Sequence, residues 1–127
     1  MDPKSSEIIQ EFYQRMNTND FYLAAEMFSE NFVLEWPQSR ERIRGRNNFA
    51  VLNSEYPAHG PWRFTINRIV ASDIEVVTDV SVTDGVVKAR AITFSTICDG
   101  KITRQVEYWP EDYLAPENRR HLVEMMD

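Results

Sequence analysis

The sequence predicts an α+β fold in which helices cover one face of a curved antiparallel sheet. Asp84-Gly85 and Asp99-Gly100 each separate two runs rich in β-branched residues. Asp-Gly favours a two-residue type I′ hairpin turn, because Gly accepts a positive φ without a Cβ clash. The apolar residues near the N-terminus recur instead with helical spacing, which predicts that helices precede the sheet.

Two helices are expected before the first strand. Asp2-Pro3 begins the first helix, with Asp as N-cap and Pro as the first helical residue. Residues 17–20 (Asn-Thr-Asn-Asp) end that helix and cap the second, which extends toward Asn31. The two apolar faces are formed by Ile8, Ile9, Phe12, Tyr13 and Met16, and by Phe21, Ala24, Ala25, Met27 and Phe28.

The middle of the chain alternates short elements with polar segments. Phe32–Trp36 is a short strand that Pro37 ends, and the polar residues 38–46 are expected to form a loop. Gly45 precedes a third helix from Arg46 to about Tyr56. Two prolines and a glycine within residues 57–61 then require an irregular link.

The two Asp-Gly turns predict a three-stranded meander, to which an earlier extended run adds a fourth strand. These strands are Trp62–Ala71, Ile74–Val82, Val86–Ile97 and Lys101–Trp109. Pro110 ends the last strand, and Pro116 begins a C-terminal helix whose packing residues are Leu122, Val123, Met125 and Met126.

Composition limits the class of protein. The 127 residues are expected to form one domain, 1–127. The single cysteine, Cys98, excludes an internal disulfide and is expected to be a buried or half-buried structural thiol in a reducing compartment. A net charge of −6 argues against nucleic-acid partners. Because no apolar run is long enough to span a membrane, a soluble cytoplasmic protein without membrane partners is expected.

Metal and cofactor motifs are not found in the sequence. No histidine pair has ligand spacing, no Cys-x-x-Cys or His-Glu-x-x-His motif occurs, and the four glycines form no phosphate-binding loop. We therefore expect no metal and no nucleotide or flavin cofactor.

The order of elements, the Gly45-led helix and the segment from Asp99-Gly100-Lys101-Ile102 to Glu107-Tyr108-Trp109 resemble the nuclear transport factor two-like superfamily. The SnoaL-like polyketide cyclase branch is the most similar, and the similarity covers nearly the whole chain. The resemblance implies a cone-shaped fold, in which the sheet wraps around a central pocket closed by helices. It also implies a homodimer formed through the sheet.

Strand alternation identifies two candidate catalytic carboxylates, Glu107 and Asp79. Glu107 near Trp109 would lose hydration, which raises a carboxyl pKa and suits it to proton transfer near neutral pH. Resemblance to limonene epoxide hydrolases supports the same two positions, since those relatives place one catalytic Asp on each of these strands. Their Arg, Tyr and Asn are replaced here by Val77, Val33 and Glu35.

The candidate substrate-binding residues are Glu35, Trp36, His59, Trp62, Tyr108 and Trp109. A structural role is open for each of them, because any half-exposed antiparallel sheet alternates polar and apolar residues. For Asp79, a solvent-facing position and a pocket-facing position both remain open.

Two functions follow. The first is a cofactor-independent acid–base enzyme of isomerase, cyclase or hydrolase type, acting on a small and largely apolar substrate such as a ketone, lactone or polyketide-like ring. The second is a non-catalytic module of the same fold that binds small molecules or dimerises. The fold cannot decide between them, because one superfold hosts many activities.

Overall fold

The computed structural model describes residues 4–126, in which two helices come first, two strands and a third helix follow, and four strands precede a short C-terminal helix. The helices are α1 (Ser5–Met16), α2 (Phe21–Ala25), α3 (Gly45–Glu55) and a 3₁₀ helix (Glu117–Leu122). The strands are β1 (Phe28–Trp36), β2 (Glu41–Arg44), β3 (Arg63–Ala71), β4 (Glu75–Thr83), β5 (Lys88–Cys98) and β6 (Lys101–Tyr108).

The six strands form one curved, unclosed sheet in the order β2-β1-β6-β5-β4-β3. The predicted four-strand meander, β3 to β6, is confirmed as consecutive antiparallel pairs. The expectation of an all-antiparallel sheet is wrong at one place, because β1 pairs with β6 in parallel. Parallel neighbours need a long connection, and the connection from β1 to β6 includes α3 and most of the sheet.

The two Asp-Gly hairpins differ in their turns. Asp99 and Gly100 both have positive φ, 51° and 75°, and join Cys98 directly to Lys101 as predicted. The other hairpin has a four-residue loop between Thr83 and Lys88, so a two-residue turn is wrong there. The Asp84 carboxylate accepts hydrogen bonds from the backbone N–H groups of residues 86 and 87, which stabilises the longer loop.

Residues 38–46, expected to be a loop, contain the edge strand β2. Ile43 is buried opposite Leu34 of β1, while Arg42 lies opposite Glu35 and donates two hydrogen bonds to its carboxylate. One buried apolar residue between arginines gives too weak an alternation to be recognised as a strand. The pairing with β1 supplies what the local sequence lacks.

Three other expectations differ from the structure. The second helix ends at Ala25 and β1 begins at Phe28, whose ring stacks on Phe32 at a centroid distance of 3.6 Å. The C-terminal helix is only a 3₁₀ helix, and its expected packing residues, Leu122, Val123, Met125 and Met126, are exposed. Cys98, expected to be at least partly buried, is exposed. The expected N-cap Asp2 and Pro3 lie outside the described residues.

The apolar stripe of α1 packs against the concave face of the sheet, as its periodicity predicts. All five of its residues are buried, together with inward-facing residues of β1, β4 and β6. Full burial of one such side chain contributes about 1.5–3 kcal/mol. The core therefore fixes α1 against the sheet, and the outer face stays uncovered in the single chain. The expected homodimer stays a prediction.

Two asparagines in the turn between α1 and α2 bind the backbone of the sheet edge. Asn17 accepts a hydrogen bond from Phe64 N at 2.7 Å and donates one to Phe64 O at 2.9 Å. Asn19 makes the same reciprocal pair with Trp62, at 2.7 and 2.8 Å. The two asparagines are two residues apart, as are Trp62 and Phe64, so these amides take the place of a neighbouring strand at this edge of the sheet. We call them the asparagine clamp.

We expect Asn17→Ala to lower the free energy of unfolding by about 1–2 kcal/mol, because two hydrogen bonds are lost.

Asn19→Ala should lower the free energy of unfolding by about 1 kcal/mol more than Asn19→Gly does. Asn19 has a φ of 63°, which Gly adopts easily and Ala does not. Urea unfolding measures each difference. Asn31→Ala, at an exposed position, is the control, and equal effects of all four substitutions would contradict the clamp.

Candidate active site

A cavity of about 750 Å³ lies between the helices and the concave face of the sheet. Its lining is mainly aromatic and aliphatic, and it includes all three tryptophans of the chain. The aromatic lining residues are Phe12, Tyr13, Trp36, Phe49, Tyr56, Trp62, Phe64 and Trp109. Such a volume and composition are typical of small-molecule sites.

Glu107 places a carboxylate in this cavity from the inward face of β6. Trp36 Nε1 donates a hydrogen bond to Glu107 Oε1 at 3.0 Å, and Thr93 Oγ1 donates one to Oε2 at 2.7 Å. No Lys, Arg or His occurs among the described residues that line the cavity. The carboxylate is therefore held by neutral donors rather than by a cation.

The environment of Glu107 favours its protonated form. Burial raises the pKa of the Glu107 carboxyl, and the hydrogen bonds from Thr93 and Trp36 oppose that rise without cancelling it. An apolar site disfavours the charged form, because the carboxylate loses its hydration there. The group thus exchanges its proton at a higher pH than an exposed glutamate, as acid–base catalysis near neutral pH requires.

Tyr13 brings a second polar group next to Glu107. Its hydroxyl lies 3.3 Å from Thr78 Oγ1, and burial, reinforced by the Glu107 charge, raises the pKa of the phenol. The phenol therefore stays protonated and can donate a hydrogen bond to a ligand. Sequence analysis assigned Tyr13 only to the core, although a Tyr in an apolar stripe is a signal, since a buried hydroxyl needs a partner.

Asp79 does not meet Glu107, and of the two positions left open for it the structure shows the solvent-facing one. On β4, Thr78 faces inward opposite Thr93, which is the neighbour of Glu107, whereas Asp79 faces outward. Arg90 binds Asp79 at 2.5 Å and holds its carboxyl pKa below the usual range. The pleat of the strand places adjacent residues on opposite faces, and the register decides which face is inward.

The structure divides the predicted substrate-binding residues. Trp36, Trp62 and Trp109 line the cavity, as expected for binding residues. The prediction that Glu35 binds substrate is wrong, because Glu35 lies on the outer face of the sheet and binds Arg42 and Arg104. Those arginines hold the pKa of its carboxyl low.

Tyr108 and His59 also lie outside the cavity lining. Tyr108 is on the outer face, where its ring meets Phe94 edge to face at a centroid distance of 6.3 Å. His59, in the irregular link, bonds Asp84 through both its backbone N–H and its ring Nδ1. These hydrogen bonds join the link to the β4–β5 hairpin, so His59 and Asp84 have a structural role.

Sequence reasoning missed the polar residues around the carboxylate. Thr93 and Thr78 are buried on inward positions, and Gln105 lines the cavity and donates to Ser95 Oγ at 3.1 Å. A polar residue at an inward position of a strand is the sequence signal that could have identified these side chains as part of the site.

Within the described residues, no group of His, Cys, Asp and Glu side chains could hold a metal ion, and no helix is long and apolar enough to cross a membrane.

Glu107→Gln should become more stable relative to the wild type as pH rises. Because the folded-state pKa of Glu107 is raised, its contribution to stability is full below the unfolded-state pKa and is lost as pH rises through the folded-state pKa. Glutamine does not ionise, so the Glu107→Gln variant does not lose stability in this way. Urea unfolding from about pH 4 to about pH 8 measures the difference. A difference that does not change with pH, or that matches exposed Glu117→Gln, would contradict the raised pKa.

The chain is similar to known families and structures. The SnoaL-like domain model matches residues 9–105. A candidate ketosteroid isomerase from Kribbella flavida is 30% identical, with 95% of this chain and 88% of that chain covered and a TM-score of 0.86. No curated protein matches the sequence significantly.

Two more distant structures support the fold alone. An LEH-like epoxide hydrolase from M. tuberculosis is 21% identical, covering 82% of this chain and 80% of that chain with a TM-score of 0.66. A candidate SnoaL-like polyketide cyclase from Jannaschia is 13% identical, covering 86% and 90% with a TM-score of 0.68. With a family model that spans most of its length and this shared cone architecture, the chain belongs to the SnoaL-like domain family of the nuclear transport factor two-like superfamily.

Proposed function

We propose that the cavity performs cofactor-independent acid–base catalysis on a small, largely apolar substrate, with Glu107 as the group that transfers the proton. The observation that carries the proposal is a carboxylate held only by neutral donors inside an aromatic cavity of about 750 Å³. The relatives give the reaction types, since they include proteins named as isomerase, epoxide hydrolase and polyketide cyclase.

The proposed step is removal of a proton from carbon next to a carbonyl group. The ionised Glu107 takes the proton, the C–H bonding pair moves toward the carbonyl, and its oxygen becomes negative. Tyr13 donates a hydrogen bond to that oxygen, which lowers the energy of the charged intermediate. Where a carbon–carbon double bond is conjugated with the enolate, return of the proton from Glu107 to the far carbon moves that double bond and completes an isomerisation. Attack of the same carbanion on a second carbonyl forms a C–C bond and closes a ring, and the alkoxide produced takes the proton back from Glu107. Ketones, lactones and polyketide-like rings fit this chemistry.

A chromogenic base-elimination probe tests the proposal without the natural substrate. A base takes the ring C–H proton of 5-nitrobenzisoxazole, the N–O bond breaks, and a coloured cyanophenolate forms. We expect wild-type protein to accelerate this reaction and Glu107→Gln to lose about 100-fold of the rate. The wild-type rate should rise with pH, with a midpoint above the ordinary glutamate value of 4.5.

The controls separate the cavity from the rest of the surface. Glu107→Asp keeps a carboxyl one methylene shorter and should retain part of the rate, whereas Glu117→Gln, on the exposed 3₁₀ helix, should retain all of it. Equal rates for wild type and Glu107→Gln would remove Glu107 from the mechanism.

A non-catalytic binding module is the second candidate. It is favoured because both oxygens of Glu107 already accept hydrogen bonds and no histidine is present among the described lining residues. For that function, a ligand quenches the fluorescence of the cavity tryptophans in a saturable manner, and no reaction is accelerated.

A further inference from the structure

The charged residues of the cavity lining are all acidic. Glu41, Glu107 and Glu111 line it, and no Lys, Arg or His does so among the described residues. None of these three carboxylates forms an ion pair within residues 4–126, although the outer face of the sheet is rich in such pairs. The acidic character thus belongs to the cavity itself. It bears on the substrate of the proposed function, on which the following inference rests.

Exposure separates the lining into two ends. The mouth is its exposed part, formed by Gln38, Ser39, Glu41, Tyr56, Val87 and Glu111. The floor is its buried part, formed by Phe12, Tyr13, Met16, Leu34, Phe49, Val80, Val82, Ala91 and Gln105. Two of the three carboxylates, Glu41 and Glu111, are therefore at the mouth. Glu107, with Trp36 and Tyr13, stands deeper.

Aromatic rings accompany the carboxylates toward the mouth, and their backbones are fixed. Tyr56 and Trp62 meet edge to face at a centroid distance of 6.1 Å. Trp62 is held by the asparagine clamp. Gln38 makes an equivalent reciprocal pair with the backbone of Trp109, accepting from its N–H at 2.6 Å and donating to its C=O at 3.2 Å. Both tryptophans are thus anchored before any ligand binds.

Gln105 adds a buried hydrogen-bond acceptor on the floor. It is 2% exposed, and its amide nitrogen donates to Ser95 Oγ. Among the described residues none donates to its Oε1, so this oxygen is available to a ligand that carries a donor. The charged and amide groups of the lining therefore offer a ligand acceptors in excess of donors.

We propose that the substrate carries a positively charged nitrogen, bound between the mouth carboxylates Glu41 and Glu111 and the anchored rings of Trp62 and Trp109, with its apolar body directed toward Glu107. A cation is attracted by the faces of Trp and Tyr and by carboxylates together. The low-dielectric walls of a cleft strengthen this field. An anionic ligand would meet three carboxylates and no cation among the described lining residues, and a neutral ligand would gain nothing from the charges of the mouth.

A matched pair of probes tests the charge alone. Benzyltrimethylammonium and neopentylbenzene have the same shape, because a quaternary nitrogen in one replaces a quaternary carbon in the other. Quenching of tryptophan fluorescence measures both dissociation constants, since all three tryptophans line the cavity. We expect the ammonium ion to bind about tenfold more tightly. Its advantage should shrink as ionic strength rises, because salt screens partly exposed charges.

Variants place the effect at the mouth. The double variant Glu41→Gln with Glu111→Gln should weaken ammonium binding by about fivefold while leaving neopentylbenzene unchanged. Glu117→Gln, which removes an exposed carboxylate elsewhere, should change neither constant. An unchanged ammonium affinity in the double variant would overturn the proposed position of the charge.

The result is independent of the test of catalysis. Equal or tighter binding of neopentylbenzene, or no binding of either probe, overturns the ammonium proposal even where Glu107 accelerates the base elimination. An ammonium preference in a protein that accelerates nothing overturns the proposed catalysis and supports the ammonium site.

Discussion

Side-chain amides tie the β3 edge of the unclosed sheet to the helices and, together with the apolar core, hold the helices over the concave face. Asn17 and Asn19 bind the β3 backbone at Phe64 and Trp62 and hold the turn between α1 and α2 against it. A further strand in that position would extend the sheet and leave it open. Two amides end the ladder here and still satisfy the backbone groups of Phe64 and Trp62, so the helices can close the space over the concave face.

The chemistry of the cavity depends on the order of the strands. β6 lies between β1 and β5, and Glu107 receives one hydrogen bond from each of these neighbours, through Trp36 and Thr93. A buried carboxylate without such donors is strongly destabilising. The parallel β1–β6 pairing, which breaks the antiparallel pattern, is therefore what brings the Trp36 indole to the carboxylate.

Local sequence signals predicted the first three helices and the meander, because helical period and turn residues are local properties. Strand alternation identified Glu107 as a candidate, but only the resemblance to a known family favoured its position in the pocket. Local signals could not predict β2, because its short alternation around Ile43 becomes a strand only beside β1. They also could not decide the face of Asp79, since both faces of β4 alternate and only the register excludes it from the cavity. Tyr13 was missed because its helical position satisfied the core pattern completely.

The pairing of β1 with β6 also governs when this protein can fold during synthesis. β1 hydrogen-bonds residues about seventy positions later, such as Leu34 to Gln105, so its inner edge has no partner until β6 has been made. Contacts this distant in sequence form slowly, and unpaired strand edges promote aggregation while they wait. The first half of the chain must therefore leave the ribosome with β1 incomplete, and the last strand completes the sheet and adds the Glu107 carboxylate to the cavity in one event.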